Sequence, residues 1–125
     1  MQTELVLLHG WGMNAQVWQM VKPEIERVFS GDVRSINLPG FGGAPSPKLD
    51  YTLETAAKLV AEQLKPESIV IGWSLGGLFA LYLARNFPDK VSKVILIAST
   101  PYFNEVTQWP GIQSNVLDAF QVQLE

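Results

Sequence analysis

Apolar residues follow two rhythms along this chain. Short unbroken runs, Leu5–Leu8, Ile69–Ile71 and Val94–Ala98, are each bounded by turn or polar residues. Such runs predict strands buried on both faces of a parallel sheet. A weaker run, Val33–Leu38, is closed by Pro39-Gly40 and predicts a fourth strand. Between the runs, apolar residues recur at helical spacing. Val17, Met20, Val21, Ile25 and Val28 form one set, and Leu53, Ala56, Ala57, Val60 and Leu64 another, with Tyr51 or Thr52 near its start and Pro66 beyond its end. A third helix is expected over Leu75–Asn86, stopped by Pro88. Strand and helix alternate throughout, which predicts right-handed crossovers and an open α/β sheet. Trp18, Met20, Phe29, Phe79 and Phe87 read as core and helix-packing residues.

The stretch Pro39–Asp50 holds three Pro and three Gly, yet apolar periodicity resumes at once after it, so it reads as a loop rather than an interdomain linker. After Ser99-Thr100-Pro101 the pattern changes. Trp109-Pro110-Gly111 predicts a turn, and Val116, Leu117 and Phe120 the start of another amphipathic helix. Residues 1–100 and 101–125 are therefore expected to be different parts of the structure.

Composition narrows the function. With 125 residues and 47% hydrophobic positions, the chain suits one domain with a real core. Its net charge of -3, without a Lys/Arg cluster, argues against a nucleic-acid surface. The absence of Cys excludes disulfide frameworks, thiolate metal sites and cysteine nucleophiles, and a single His excludes a His-rich metal cage within the chain. The start, Met1-Gln2-Thr3-Glu4, has no basic n-region, so no signal peptide is expected and the expected setting is the cytoplasm. Ser68–Ala84 is uncharged and nearly long enough for a membrane span, but Gly72, Ser74, Gly76 and Gly77 interrupt it. It reads as a strand, a turn and a helix.

That turn carries the sharpest chemical signal, Gly72-Trp73-Ser74-Leu75-Gly76-Gly77. A tight strand-to-helix turn forces its central residue into a strained backbone conformation, and the flanking glycines remove side chains that would collide there. Ser74 would then sit at the carboxyl edge of the sheet over a helix N-terminus, where free amides and the helix dipole favour negative charge. As a candidate nucleophile, Ser74 needs an oxyanion site. The Leu75 amide is one donor, and the Trp11 amide of His9-Gly10-Trp11-Gly12, after the first strand, is the natural second. His9 is the only imidazole, but at a strand end it reads as a structural residue that fixes the following loop. Trp11, Trp73 and Phe41 border the site and are candidates to line an acyl pocket.

Two rival readings stand beside this one. Gly10-x-Gly12-x-x-Ala15 formally fits a dinucleotide fingerprint, but Asn37 or Leu38 stands where an acid should bind the ribose. A non-catalytic α/β binding or assembly module is the other, since no base is evident near Ser74. Asp32, Asp50, Asp89 and Asp118 read as solvated or capping residues.

With these residues assembled, the chain resembles the α/β-hydrolase superfamily and, more narrowly, the pimeloyl-acyl carrier protein methyl ester carboxylesterases of biotin synthesis. The likeness rests on Leu5-Val6-Leu7-Leu8-His9-Gly10-Trp11-Gly12, Asn14-Ala15-x-Val17-Trp18, Leu38-Pro39-Gly40-Phe41-Gly42, Gly72-Trp73-Ser74-Leu75-Gly76-Gly77-Leu78 and Trp109-Pro110-Gly111-Ile112. It implies a three-layer α/β/α fold with a mostly parallel sheet, of which this chain corresponds to the N-terminal half. It implies Ser74 as nucleophile, and Trp11 and Leu75 as oxyanion and substrate-contacting positions. It places a triad acid and base later, in the order Ser, Asp, His, and a helical lid from about Trp109. The implied substrate is a methyl ester of a pimeloyl chain on acyl carrier protein, with no metal or organic cofactor. In the implied strand order Leu5–Leu8 and Ile69–Ile71 are central, and Val94–Ala98 is left as an unprotected edge. Self-association or a complementary fragment is the expected consequence.

Overall fold

The computed structural model describes residues 3–48 and 50–99. The turn at Trp109, the apolar positions Val116, Leu117 and Phe120, and Asp118 lie outside the described residues. Within them, strand β1 (Glu4–Leu8) is followed by a 3₁₀ turn (Ala15–Trp18) and helix α1 (Lys22–Val28). Then come β2 (Asp32–Ile36), α2 (Leu53–Ala61), β3 (Ser68–Trp73), α3 (Leu75–Asn86) and β4 (Val91–Ile97). The strands form one parallel sheet in the order β2-β1-β3-β4.

Alternation along the strands divides the core into two layers. Val6, Leu8 and Val70 face α2 and α3, packing with Ala56, Ala57, Val60, Phe79 and Leu83. Leu5, Leu7 and Ile71 face the other way, with Trp18, Val33, Ile25 and Phe29. This is the expected three-layer arrangement. Val6, Leu7 and Leu8 are wholly buried, each worth about 1.5–3 kcal/mol relative to exposure. Helix α2 starts where Thr52 caps it: the Thr52 hydroxyl accepts from the Thr55 amide at 3.1 Å, and the Thr55 hydroxyl accepts from the Thr52 amide at 2.9 Å.

Several expectations are corrected. The single helix through Val17 and Val28 is instead a 3₁₀ turn and a short α-helix. Asn14 caps the turn, the amides of Gln19 and Val21 bond three residues back, and Pro23 lies in the first turn of α1. Met20, expected in the core, falls in the break between them and is 91% exposed. The run Val33–Leu38 begins a residue earlier and ends at Ile36, because the Leu38 amide leaves the ladder and donates to His9 Nε2 at 2.9 Å. The run Val94–Ala98 extends back to Val91 and stops at Ile97, where Ala98 turns to φ 47°. Nor is this strand buried on both faces: Ile95, Leu96 and Ile97 are exposed, since β4 is the sheet edge among the described residues. The uncharged stretch Ser68–Ala84 is β3 and most of α3, and no described helix is long and apolar enough to cross a membrane.

Candidate active site

The carboxyl ends of β1 and β3, neighbours in the sheet, bring Gly10 and Ser74 together. A Cβ built on Gly10 would lie 3.4 Å from Ser74 Cβ and 3.0 Å from Trp73 Cε3. Ser74 has φ 55° and ψ −114°, outside the regions an L-residue normally occupies, and its side chain makes no capping bond to α3. Such a conformation costs about 1–3 kcal/mol and persists only where the surroundings impose it. Here they do so from three sides. The Ser74 amide donates to Ile97 at 2.9 Å, its carbonyl accepts from the Ser99 hydroxyl at 2.7 Å, and the same carbonyl accepts from the Gly77 amide at 3.0 Å.

The glycines let the chain close this tightly. A Cβ on Gly72 would strike the Gly76 carbonyl and come 2.5 Å from Gly77 Cα. One on Gly76 would strike the Leu8 carbonyl oxygen and come 2.7 Å from that of His9. The first turn of α3 therefore rests directly on the backbone of β3 and β1. Its N-terminus, with its positive dipole end, lies beside Ser74. Among the described residues the amides of Leu75 and Trp11 have no hydrogen-bond partner.

His9 is fully buried and both its ring nitrogens are engaged. Nδ1 meets the Gly10 carbonyl at 2.8 Å, and Nε2 accepts from the Leu38 amide at 2.9 Å. Burial depresses its pKa below the ordinary value, against the opposing pull of the Gly10 bond. The imidazole is thus a neutral strut between the ends of β1 and β2, as its position in the sequence suggested, and it has no free nitrogen for Ser74. Phe41 closes the packet, its ring edge-on to His9 at 5.5 Å and to Trp11 at 6.0 Å. Trp11 is about half exposed at the rim, while Trp73 is partly buried against the Trp18 layer.

Two contributors escaped sequence reasoning. Asn37 Oδ1 accepts from the Ala15 amide at 2.7 Å and its Nδ2 donates to Gly42 at 3.1 Å, joining the loops on either side of Phe41. A polar residue at the end of an apolar run was the available signal. Ser99 holds the elbow's carbonyl from beyond β4, a contact no local pattern announces. The aspartates are solvated, as expected: Asp32 starts β2 and pairs with Lys65 at 3.6 Å, and Asp50 and Asp89 are exposed. The dinucleotide reading fails because Gly10–Ala15 opens no α-helix to receive a pyrophosphate; a 3₁₀ turn follows instead. A depression of about 590 Å³ lies at the amino ends of the strands, opposite the elbow, lined by Glu4, Arg34 and Lys65. There the buried Glu4 carboxylate is already paired with Arg34 and accepts from the Lys65 amide at 3.3 Å.

The chain is similar to known proteins in sequence and in fold. The chain is 43% identical over 120 residues to a pimeloyl-[acyl-carrier protein] methyl ester esterase of Klebsiella pneumoniae, covering 96% of this chain and 46% of that protein. It is 46% identical over 124 residues to the protein of that name in Vibrio parahaemolyticus, covering 97% and 46%. The chain therefore spans about half the length of the curated relatives it matches. A solved marine microorganism esterase shares the fold with a TM-score of 0.75 at 23% identity, over 98% of this chain and 45% of that one. The family model for the alpha/beta hydrolase fold matches residues 4–122, and the chain belongs to that family.

Proposed function

We propose that this chain carries the nucleophile and the oxyanion site of a serine carboxylesterase that hydrolyses pimeloyl-acyl carrier protein methyl ester in biotin synthesis. The observation that carries the reading is the Ser74 elbow, strained at φ 55° and packed against Gly10, with the amides of Leu75 and Trp11 unpartnered among the described residues. The substrate comes from the printed name of the relatives.

In this mechanism Ser74 Oγ attacks the ester carbonyl and passes its proton to a base. The carbonyl oxygen becomes an oxyanion held by the Trp11 and Leu75 amides, and methanol leaves with the proton. Water then attacks the acyl-enzyme, releasing the free carboxylate and restoring Ser74. His9 is not the base, because both its nitrogens are occupied. The fold's order of Ser, Asp, His puts the base after Ser74, and no His follows Ser74 in these 125 residues. On this reading residues 1–100 are the N-terminal part of the hydrolase core, residues 101–125 open its helical lid, the setting is cytoplasmic, and no cofactor takes part.

The test is methanol release from the acyl carrier protein methyl ester by the full gene product. Ser74→Ala should lower kcat by about 10⁴-fold or more, and full activity in that variant would refute the assignment. The 125-residue chain alone should turn over a short activated ester far below the roughly 10 per second typical of enzymes. A non-catalytic α/β module has one observation in its favour, that the only imidazole is structurally committed. Turnover abolished by Ser74→Ala excludes it.

A further inference from the structure

We propose that His9 is a positioning residue for the oxyanion site: its Nδ1–H holds the Gly10 carbonyl and thereby sets the direction of the Trp11 amide in the same peptide. The inference rests on the reading of Ser74 as nucleophile and adds to it the group that aims one of its donors.

Two hydrogen bonds specify the imidazole. The Leu38 amide only donates, and it meets Nε2 at 2.9 Å; the Gly10 carbonyl only accepts, and it meets Nδ1 at 2.8 Å. Nε2 is therefore the bare nitrogen and Nδ1 carries the proton. Complete burial of the ring keeps it neutral, so this single tautomer persists.

The carbonyl that His9 holds belongs to the peptide that presents the oxyanion donor. No described peptide bond is cis, so Gly10 C=O and Trp11 N–H lie in one plane and point in opposite directions. Holding the carbonyl on the imidazole fixes the amide facing away from it. A Cβ on Gly10 would crowd the Trp73 ring at 3.0 Å and touch Ser74 Cβ at 3.4 Å. The glycine that this approach demands also leaves the peptide easy to flip. The imidazole removes that freedom. Its own orientation comes from Leu38, 29 residues further along the chain, and from the Phe41 ring packed edge-on against it. A relay therefore runs from the end of β2 through His9 to the Trp11 amide.

Two conservative substitutions separate its halves. Asn places a donor nitrogen where Nδ1 stands, and Gln an acceptor oxygen where Nε2 stands. In the full gene product, His9→Gln keeps the Leu38 bond but loses the Gly10 bond, and kcat should fall about 10²-fold, the effect of a lost oxyanion donor. KM should stay within about threefold, because the loss falls on the transition state. His9→Asn keeps the Gly10 bond and should remain within about tenfold of wild-type kcat. Equal losses in both variants, or a Gln variant as active as wild type, would overturn the relay. Should either variant fail to fold, ¹⁵N NMR of His9 in the unsubstituted protein decides independently: a protonated Nδ1 with bare Nε2 supports it, and the opposite tautomer defeats it. Turnover that survives Ser74→Ala would remove the nucleophile reading and the catalytic role of His9 together, whereas the other negative results remove the positioning role alone.

Discussion

Replacing Gly76 by Ala sets two effects of opposite sign against each other. Gly76 lies in the first turn of α3, where Ala is favoured over Gly by at most about 1 kcal/mol through helix propensity. Against this, the new Cβ would overlap the Leu8 carbonyl oxygen and stand 2.6 Å from its carbonyl carbon. Carbon atoms pack at about 3.5–4.0 Å, so α3 would have to withdraw by roughly 1 Å. Neither side yields easily. Leu8 is backbone of a central strand paired on both edges, and α3 is seated by Phe79, Ala80 and Leu83, all buried. Overpacking of this kind costs about 3 kcal/mol, at the upper end of its usual range, leaving a net loss of about 2 kcal/mol after propensity is counted. Gly43→Ala is the comparison. Nothing lies within 4 Å of a Cβ there, and only the φ of +87° opposes it, for a cost of about 1 kcal/mol. Urea denaturation followed by far-ultraviolet circular dichroism measures both. A Gly76→Ala protein as stable as wild type, or less affected than Gly43→Ala, would refute close backbone approach as the reason for glycine in the elbow.

Other consequences are open to measurement. Because burial depresses the pKa of His9, the unfolded chain takes up its proton first as pH falls. Stability from this group is complete above the ordinary value of 6.5 and declines below it towards the lower folded pKa; urea midpoints from pH 8 to 5 should show that decline, and His9→Asn should flatten it. Glu4→Ala strips the partner from Arg34 and an acceptor from the Lys65 amide, and should destabilise by about 2 kcal/mol, since Arg34 is partly solvated; Glu4→Gln should cost less, and unchanged melting in both would show the network to be idle. The exposed apolar edge of β4 should make the isolated 125-residue chain self-associate. Sedimentation at micromolar concentration should show species heavier than the monomer, and Ile95→Lys should shift them towards monomer; a monomeric wild-type chain rejects the idea.

The strands and the elbow were legible in the sequence because each depends on neighbours along the chain. An unbroken apolar run such as Leu5–Leu8 reports burial on both faces of a strand. Glycine on both sides of Ser74, between a strand and a helix, reports a turn that needs room. The α2 boundary was written as locally, in Thr52. Helical spacing from Val17 to Val28 did not foretell the break at Met20, because the Asn14 cap and the i−3 bonds of Gln19 and Val21, local themselves, outweighed it. Tertiary structure alone decided the rest. Apolar character in Ile95–Ile97 implied burial, but burial depends on what stands beside β4 rather than on β4. The tautomer of His9 needed Leu38, the elbow's carbonyl needed Ser99, and the buried charge of Glu4 needed Arg34. Each partner is at least 25 residues away in the chain, so the sheet order that brings them together, and not the spacing of residue types, assigns what each side chain does.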